Sequence, residues 1–272
     1  TEIYTLSLHD ALPIYIARKD LLANYSPLTD TRLYKLIDAC WPGPLTVIVP
    51  SREAGQTVGI RMPQNMIALQ LILESRCSVV APSANISGQP APVTCGEALR
   101  VLDGLVDAAI DGGPARFGQS SAVVDFTVDP PRVIRPGVLT QAEVDYLVGQ
   151  KLILCGCTGN SCRSVMAEYL LRDMVQDRPE IEVESAGTGV FLQAAASSET
   201  LRVLRQQGLD ASAHQSQPVT NVLLQKSDLI LVMTMAHRQQ IVDRLPSVAN
   251  RVYLLREFTG EPVSVSASLD IP

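Results

Sequence analysis

The chain is predicted to be an α/β protein of two domains, and three observations carry that prediction. In the second half, short apolar runs alternate with stretches of helical periodicity, the pattern of a parallel sheet covered by helices on both faces. The pattern changes once, near residue 150, where "PGVLTQAEVDYLVGQ" gives way to "KLILCG". The composition, 46% hydrophobic and 18% charged, supplies a packed core and argues against general disorder.

The elements follow in order. In the first half 31–40 reads as a helix, "LTVIVP" (45–50) and "VGIRMP" (58–63) as strands, 64–75 as a helix and "SVVAPS" (78–83) as a strand. A helix over 94–106 follows, then strand-like 108–111, 121–127 and 132–137, a mixed pattern punctuated by glycine and proline. Thr140 with Glu143 three residues later forms a capping box for an amphipathic helix ending at Gly149. In the second half, strand 151–156 feeds a helix from Ser164 to about Gln176, where Met166, Leu170, Leu171 and Met174 recur at helical spacing. "IEVESAG" is a strand, Ser198–Gln207 a helix closed by Gly208, and Val219–Lys226 a short helix. "DLILVMT", a helix over 235–245 and "RVYLL" complete the alternation. Ligands of such sheets bind at the carboxyl ends of the strands, where the loop 157–163 falls.

With 272 residues the chain suits one large domain or two ordinary ones. Aromatics are only 4%, so Leu, Ile, Val and Ala must fill the core. Net charge is −6, and neither half has the basic excess expected of a strong nucleic-acid binder. Six unevenly spaced cysteines do not suggest a secreted disulfide scaffold. No apolar run reaches a membrane span and no signal peptide is visible, so the expectation is a cytoplasmic protein without membrane partners. The opening "TEIYTLSLHDALPI" resembles the conceptual translation of a sequencing-library adaptor, and residues 1–14 are expected to stand outside the fold.

Three cysteines, Cys155, Cys157 and Cys162, fall within "CGCTGNSCRS". Zinc sites want paired knuckles and four ligands; the spacings here offer no second pair and no nearby histidine, so no metal site is expected. A structural disulfide is disfavoured in a reducing compartment. A nucleophile fits better. Cys157 and Arg163 form Cys-x5-Arg, followed by Ser164, between a buried strand and a helix. The loop amides of Thr158, Gly159, Asn160, Ser161 and Cys162 would make an anion nest, and the helix adds its positive end. Arg163 would offer a planar fork to two phosphoryl oxygens. Such a field lowers a thiol pKa from about 8.5 toward roughly 3.5–7.5. Gly159 permits close approach of an anion, and Asn160 tolerates a left-handed backbone.

"LILCGCTGNSCRSVMAEYLL", with "VESAGTG" and "SDLILVMTMAHRQQI", resembles the low-molecular-weight protein tyrosine phosphatase family over 151–272. The resemblance implies a doubly wound four-stranded parallel sheet, Cys157 as nucleophile through a phosphocysteine, Arg163 as phosphate ligand and Ser164 as the thiolate's hydrogen-bond partner. It implies a phosphoprotein substrate, phosphotyrosine or phosphoarginine, and no cofactor. Thr158 bears on the choice, because bacterial arginine phosphatases of this family carry threonine after the nucleophile. Thioredoxin-coupled arsenate reductases share the loop string but need further cysteines near 228–234, where this chain reads "DLILVMT". Cys162 is either a small packed hydrophobe or, as the family suggests, a resolving partner for oxidised Cys157. Cys155 is expected in the core, and His214 and His237 are expected to be structural or on the surface. The resemblance implies a general acid at the last Asp of strings like "DIPDP", so the chain's "SLDIP" makes Asp270 the earlier Asp of that string and implies slow turnover.

In the first half "WPGPLT", "VGIRMP", "APSANISGQPAPVT", "DGGPARFGQSSAVVDFT" and "VIRPG" are turn-rich loops between strands. Together they resemble the threonylcarbamoyl-AMP synthase family, Sua5/YciO/YrdC, over about 15–148, as a partial twisted mixed α/β domain. The resemblance implies ATP with magnesium, threonine and bicarbonate as substrates, tRNA-modification partners, Asn85 and Arg135 at ATP, and Arg61, Ser83 and Ser121 at threonine. "PAPVT" is one residue longer than the usual "PSPT", which places Thr94 loosely at ATP. The family's opening strand with Lys-x-Arg is not matched, which implies impaired synthesis. The alternative is a protein that binds nucleotide, RNA or anions without catalysis.

Overall fold

The structure is a computed structural model; it describes residues 12–82, 84–85, 90–118, 120–258 and 270–271. These fall into two compact units, one holding the chain to Leu28 and Lys35–Leu147, the other Thr29–Tyr34 and the chain from Val148 onward.

The first unit carries a six-stranded mixed sheet. Its strands are β1 (Ile14–Tyr15), β2 (Leu45–Pro50), β3 (Thr57–Arg61), β4 (Val79–Val80), β5 (Ala122–Asp125) and β6 (Arg132–Arg135), in the order β4-β1-β3-β2-β5-β6. Helices α1 (Leu22–Tyr25), α2 (Thr31–Cys40), α3 (Met66–Ser75), α4 (Cys95–Leu102) and α5 (Gln141–Gly149) accompany it. Successive side chains of a strand face opposite ways, and the two faces of this sheet differ. Leu45, Val47, Val49, Ile60, Ala122 and Val124 are all fully buried and form the apolar face. The residues between them form a transverse row on the other: Tyr15 pairs with Arg61, Arg61 with Thr46, Thr46 with Val123, and Val123 with Arg135.

Ile14 already belongs to this sheet, and the backbone of Ala81 donates to the carbonyl of Pro13, so the paired fold reaches into the segment expected to stand outside it. Residues 108–111 pair with no strand among the described residues, because their short apolar run lies exposed with no neighbour to complete a ladder. The expected capping box is formed: Thr140 Oγ1 accepts from the Glu143 backbone at 3.3 Å, and Glu143 Oε2 accepts from the Thr140 backbone at 2.8 Å.

The second unit is the doubly wound sheet. Strands β7 (Lys151–Cys157), β8 (Ile181–Gly187), β9 (Leu229–Val232) and β10 (Val252–Leu254) run parallel in the order β10-β9-β7-β8. Their crossovers carry α6 (Arg163–Met174), α7 (Ser198–Gln206), α8 (Asn221–Lys226) and α9 (Met235–Arg244). The period of two sorts the central strand. Leu152 and Leu154 pack with Ile230, Val232 and Ile241 on one face. Cys155 and Cys157 pack with Val183, Met233, Ala167 and Leu171 on the other. Cys157 therefore ends the central strand on the α6 side, at the carboxyl edge where ligands of such sheets bind.

Candidate active site

The chain leaves β7 at Cys157 and re-enters a helix at Arg163, and the turn between them is closed from outside. The carbonyl of Cys157 accepts from Thr188 N (2.8 Å), that of Thr158 from Gly189 N (2.9 Å) and that of Ser161 from Ser197 N (2.9 Å). The carbonyl of Asn160 accepts from His214 Nε2 at 2.8 Å. In a trans peptide the C=O and the next N–H point oppositely. Holding these carbonyls outward therefore turns the amides of Thr158, Gly159, Ser161 and Cys162 toward the concave side. The Asn160 amide donates to Cys157 Sγ at 3.3 Å, and Ser164 Oγ lies 3.0 Å from the same sulfur. Helix α6 begins at this point with no side chain capping its first turn, so its N–H groups are left for an anion.

Asn160 is the hub. It is fully buried with φ of 50°, the left-handed region its side chain tolerates. Its Nδ2 donates to Ser164 Oγ (3.1 Å) and Ser185 Oγ (2.7 Å), and its Oδ1 accepts from Gln217 N (2.8 Å). Ser185 donates onward to Glu168, which also pairs with Arg172 at 2.8 Å. The sulfur is thus fixed through Ser164, Asn160, Ser185 and Glu168 to two secondary elements. Arg163 is half-buried, and its Nη1 donates to the Ile271 carbonyl at 2.7 Å. Asp270 Oδ1 accepts from Met235 N at 2.7 Å, so it sits at the start of α9.

The sequence reading placed Cys157, Thr158, Gly159, Asn160, Ser161, Cys162, Arg163 and Ser164 in this loop, and the structure brings all of them together there. It did not single out Glu168, Ser185, Gln217 or Gly187. One signal was present. Glu168 stands four residues after Ser164 on the buried face of α6, and a carboxylate there needs partners.

Gly187 ends β8 directly beside the loop. A Cβ there would lie 2.4 Å from the Thr158 carbonyl oxygen, 2.6 Å from Val190 Cγ2 and 3.0 Å from the Asn160 nitrogen. Two of the three are backbone and cannot swing aside. Gly187→Ala is expected to destabilise this unit by about 1–3 kcal/mol. It should also displace the loop and weaken its binding of inorganic phosphate, which a melting curve and a phosphate titration would check.

The flanking cysteines differ. Cys155 is fully buried and burial pushes its thiol up to about 12, with Glu168 adding to the rise. Cys162 is exposed, and its contact with Ser197 Oγ at 3.2 Å holds its thiol below the ordinary value. Iodoacetamide at pH 8 is therefore expected to alkylate Cys162 and spare Cys155 in the folded protein, read by peptide mass spectrometry. Equal labelling of the two would contradict this placement.

In the first unit the transverse row of the sheet gathers Arg61, Ser121 and Arg135. Ser121 is buried beside β5, where its Oγ lies 3.0 Å from Thr46 Oγ1 and accepts from Arg135 Nη2 at 3.0 Å. Arg135 Nε also donates to the Ser121 carbonyl at 3.1 Å. Arg61 lies over the Tyr15 ring, 5.6 Å from its centroid. Asn85 is half-buried in a bend, and Ser83 lies outside the described residues. Thr94 caps α4 by accepting from Glu97 N at 3.2 Å. Nothing in the sequence marks Thr46 and Tyr15 as part of this cluster, because register across strands is invisible in one segment's sequence.

The second unit thus has the fold and loop of a cysteine-centred anion site at the carboxyl edge of a parallel sheet. Comparison with known proteins gives the families. The low molecular weight phosphotyrosine protein phosphatase model matches residues 152–272, and the Sua5_yciO_yrdC model, described as telomere recombination, matches residues 2–137. The chain belongs to both families, one in each half. A probable low molecular weight protein-tyrosine-phosphatase EpsP of Ralstonia nicotianae is 41% identical over 107 residues, 39% of this chain and 72% of that protein. The threonylcarbamoyl-AMP synthase of Pyrococcus abyssi is 38% identical over 135 residues, 47% of this chain and 40% of that synthase. The chain thus spans less than half the length of that synthase. A low molecular weight protein tyrosine phosphatase from T. tengcongensis is similar at 32% identity and a TM-score of 0.39, over 42% of this chain and 78% of that one.

Proposed function

We propose that the second unit is a cysteine-dependent protein phosphatase. The observation that carries the reading is the seat of the Cys157 sulfur, held by Ser164 Oγ and the Asn160 amide inside a loop whose carbonyls are turned outward. The Cys157 sulfur attacks phosphorus in line, an S–P bond forms, and the P–O or P–N bond to the leaving atom breaks. The leaving atom takes a proton, and water then cleaves the S–P bond to release phosphate. Arg163 and the loop amides hold the equatorial oxygens throughout. The substrate is a phosphoprotein, carrying phosphotyrosine or phosphoarginine, and no metal or cofactor enters these steps.

Nitrophenolate leaves without needing a proton, so p-nitrophenyl phosphate tests the first step alone. Rapid mixing should release a burst equal to the protein concentration and leave phosphate on the peptide that holds Cys157. No burst, or phosphate on another peptide, would overturn the reading. Peptides carrying the two phosphoresidues then separate the substrate classes.

For the first unit we propose threonylcarbamoyl-AMP synthesis from ATP, threonine and bicarbonate in the service of tRNA modification. The cluster of Arg135, Ser121 and Thr46, with Arg61 in the same row, favours it, because it puts two guanidinium groups and two hydroxyls on one face of the sheet. Arg135 and Asn85 are assigned to ATP, and Arg61, Ser121 and Ser83 to threonine. Magnesium would arrive on the ATP phosphates. Pyrophosphate release that requires both threonine and bicarbonate supports this assignment; release indifferent to threonine contradicts it. The proposed setting is cytoplasmic, and among the described residues no helix is long and apolar enough to cross a membrane.

A further inference from the structure

His237 takes no part in the chemistry proposed above, yet it is the contact between α9 and the first residue after the nucleophile. It is buried, 4% exposed, and a hydroxyl meets each ring nitrogen. Nε2 lies 2.8 Å from Thr158 Oγ1 and Nδ1 lies 2.7 Å from Thr234 Oγ1. A neutral imidazole has one N–H and one lone pair, so the two hydroxyls are held in opposite senses.

The helix cap favours one sense. Thr234 is the N-cap of α9, and its Oγ1 accepts the backbone N–H of His237 itself at 3.3 Å. A hydroxyl that accepts at a cap keeps its own proton to give, and Nδ1 is the acceptor in reach. With Thr234 donating to Nδ1, the ring proton lies on Nε2, facing Thr158. Thr158 Oγ1 then accepts from the ring, and its own proton is free. Thr158 is exposed at the mouth of the loop that holds the Cys157 sulfur. With the opposite tautomer Thr158 would give its proton to the ring and show only lone pairs to an incoming oxyanion.

We propose that His237, set by Thr234, is a positioning residue that makes the Thr158 hydroxyl a hydrogen-bond donor to the phosphoryl group entering the loop, an inference that rests on the phosphatase reading. The charged groups nearest the ring fit a neutral imidazole. Burial and then the Arg163 guanidinium hold its pKa below the usual histidine value, and Asp270 opposes them. A neutral ring is what makes the tautomer decisive.

The test has a spectroscopic arm and a kinetic arm. Long-range proton–nitrogen correlation on the wild-type chain reads the tautomer of His237 directly. The Nε2–H form supports the proposal, and the Nδ1–H form overturns it. In the kinetic arm, burst rate, KM and the inhibition constant of inorganic phosphate are compared for wild type, Thr158→Val, Thr158→Ser, His237→Ala and the Thr158→Val/His237→Ala double variant. One donor to a charged group is worth about tenfold. Thr158→Val and His237→Ala should each raise the phosphate inhibition constant by roughly that factor, and Thr158→Ser should restore it. The double variant should be no worse than Thr158→Val. Independent, multiplying losses, or a Thr158→Val protein that binds phosphate like wild type, would overturn the proposal. If His237→Ala does not fold, the tautomer and the Thr158 pair still decide. A wild-type chain with no Cys157-dependent burst would fault the phosphatase reading instead, and the tautomer would remain measurable.

Discussion

Replacing Cys157 with serine is expected to lower p-nitrophenyl phosphate turnover by about 10⁴-fold or more, the scale on which a lone catalytic nucleophile is lost. A serine hydroxyl is a weak nucleophile at its free pKa and needs an adjacent base. The groups that touch the sulfur here, the Ser164 hydroxyl and the Asn160 amide, are not bases. The rest of the site should survive. Serine is nearly isosteric, its oxygen can keep both contacts, and the buried position is left with satisfied partners. The melting temperature should therefore stay within roughly 3 °C of wild type. Inorganic phosphate should still bind within about threefold, since the amides and Arg163 are untouched. This pairing separates a nucleophile from a binding residue. A variant that loses phosphate binding along with turnover would mean that the sulfur organises the loop, and one that keeps turnover would remove Cys157 from the chemistry.

Much of this site was legible because its parts are close in sequence. Strand, cysteine, five loop residues, arginine and helix follow one another from Lys151 to Met174, and each has a local signal: an apolar run, a glycine, a residue tolerant of positive φ, a helical periodicity. What holds the loop in shape comes from elsewhere. Gly187 and Ser185 end the neighbouring strand, Gln217 and His214 lie in a connection some fifty residues on, and His237 opens a helix further still. Nothing in those segments read alone marks them as supports. The strand register that joins them to the loop is a property of the folded sheet, with Cys157 opposite Gly187. His214 and His237 were expected to be structural or on the surface. Both are buried and bond the loop, one at the Asn160 carbonyl and one at the Thr158 hydroxyl.

The first half shows the same division. The strand expected over 45–50 is formed as Leu45–Pro50, and the one expected over 58–63 is formed as Thr57–Arg61. The row Tyr15, Arg61, Thr46, Val123 and Arg135 was not legible, because it runs across five strands whose sequence order differs from their order in space. Of the strand expected over 78–83, whose last residue lies outside the described residues, Val79–Val80 forms an edge pair beside β1. An apolar run predicts a strand only as far as a neighbour exists to pair with it.

Arg163→Lys is the second large effect expected, a fall of about 10²–10³ in kcat/KM for p-nitrophenyl phosphate, the range seen when one preorganised donor is removed from a developing oxyanion. The charge is kept, so long-range attraction of the substrate is nearly unchanged. What is lost is the planar fork that meets two phosphoryl oxygens at once. A lysine ammonium can satisfy one oxygen as a point charge, and its flexible stem must be ordered each time. The inhibition constant of inorganic phosphate should rise as well, by less than kcat/KM falls, because the fork fits the trigonal transferring group better than bound phosphate. A competing role is visible in the structure, since Arg163 Nη1 donates to the Ile271 carbonyl. A residue that only tethered the chain at Ile271 would tolerate lysine, whose ammonium also donates to a carbonyl. Retention of kcat/KM within about threefold in Arg163→Lys, together with loss in Arg163→Ala, would therefore assign Arg163 to the tether and take it out of the phosphate site.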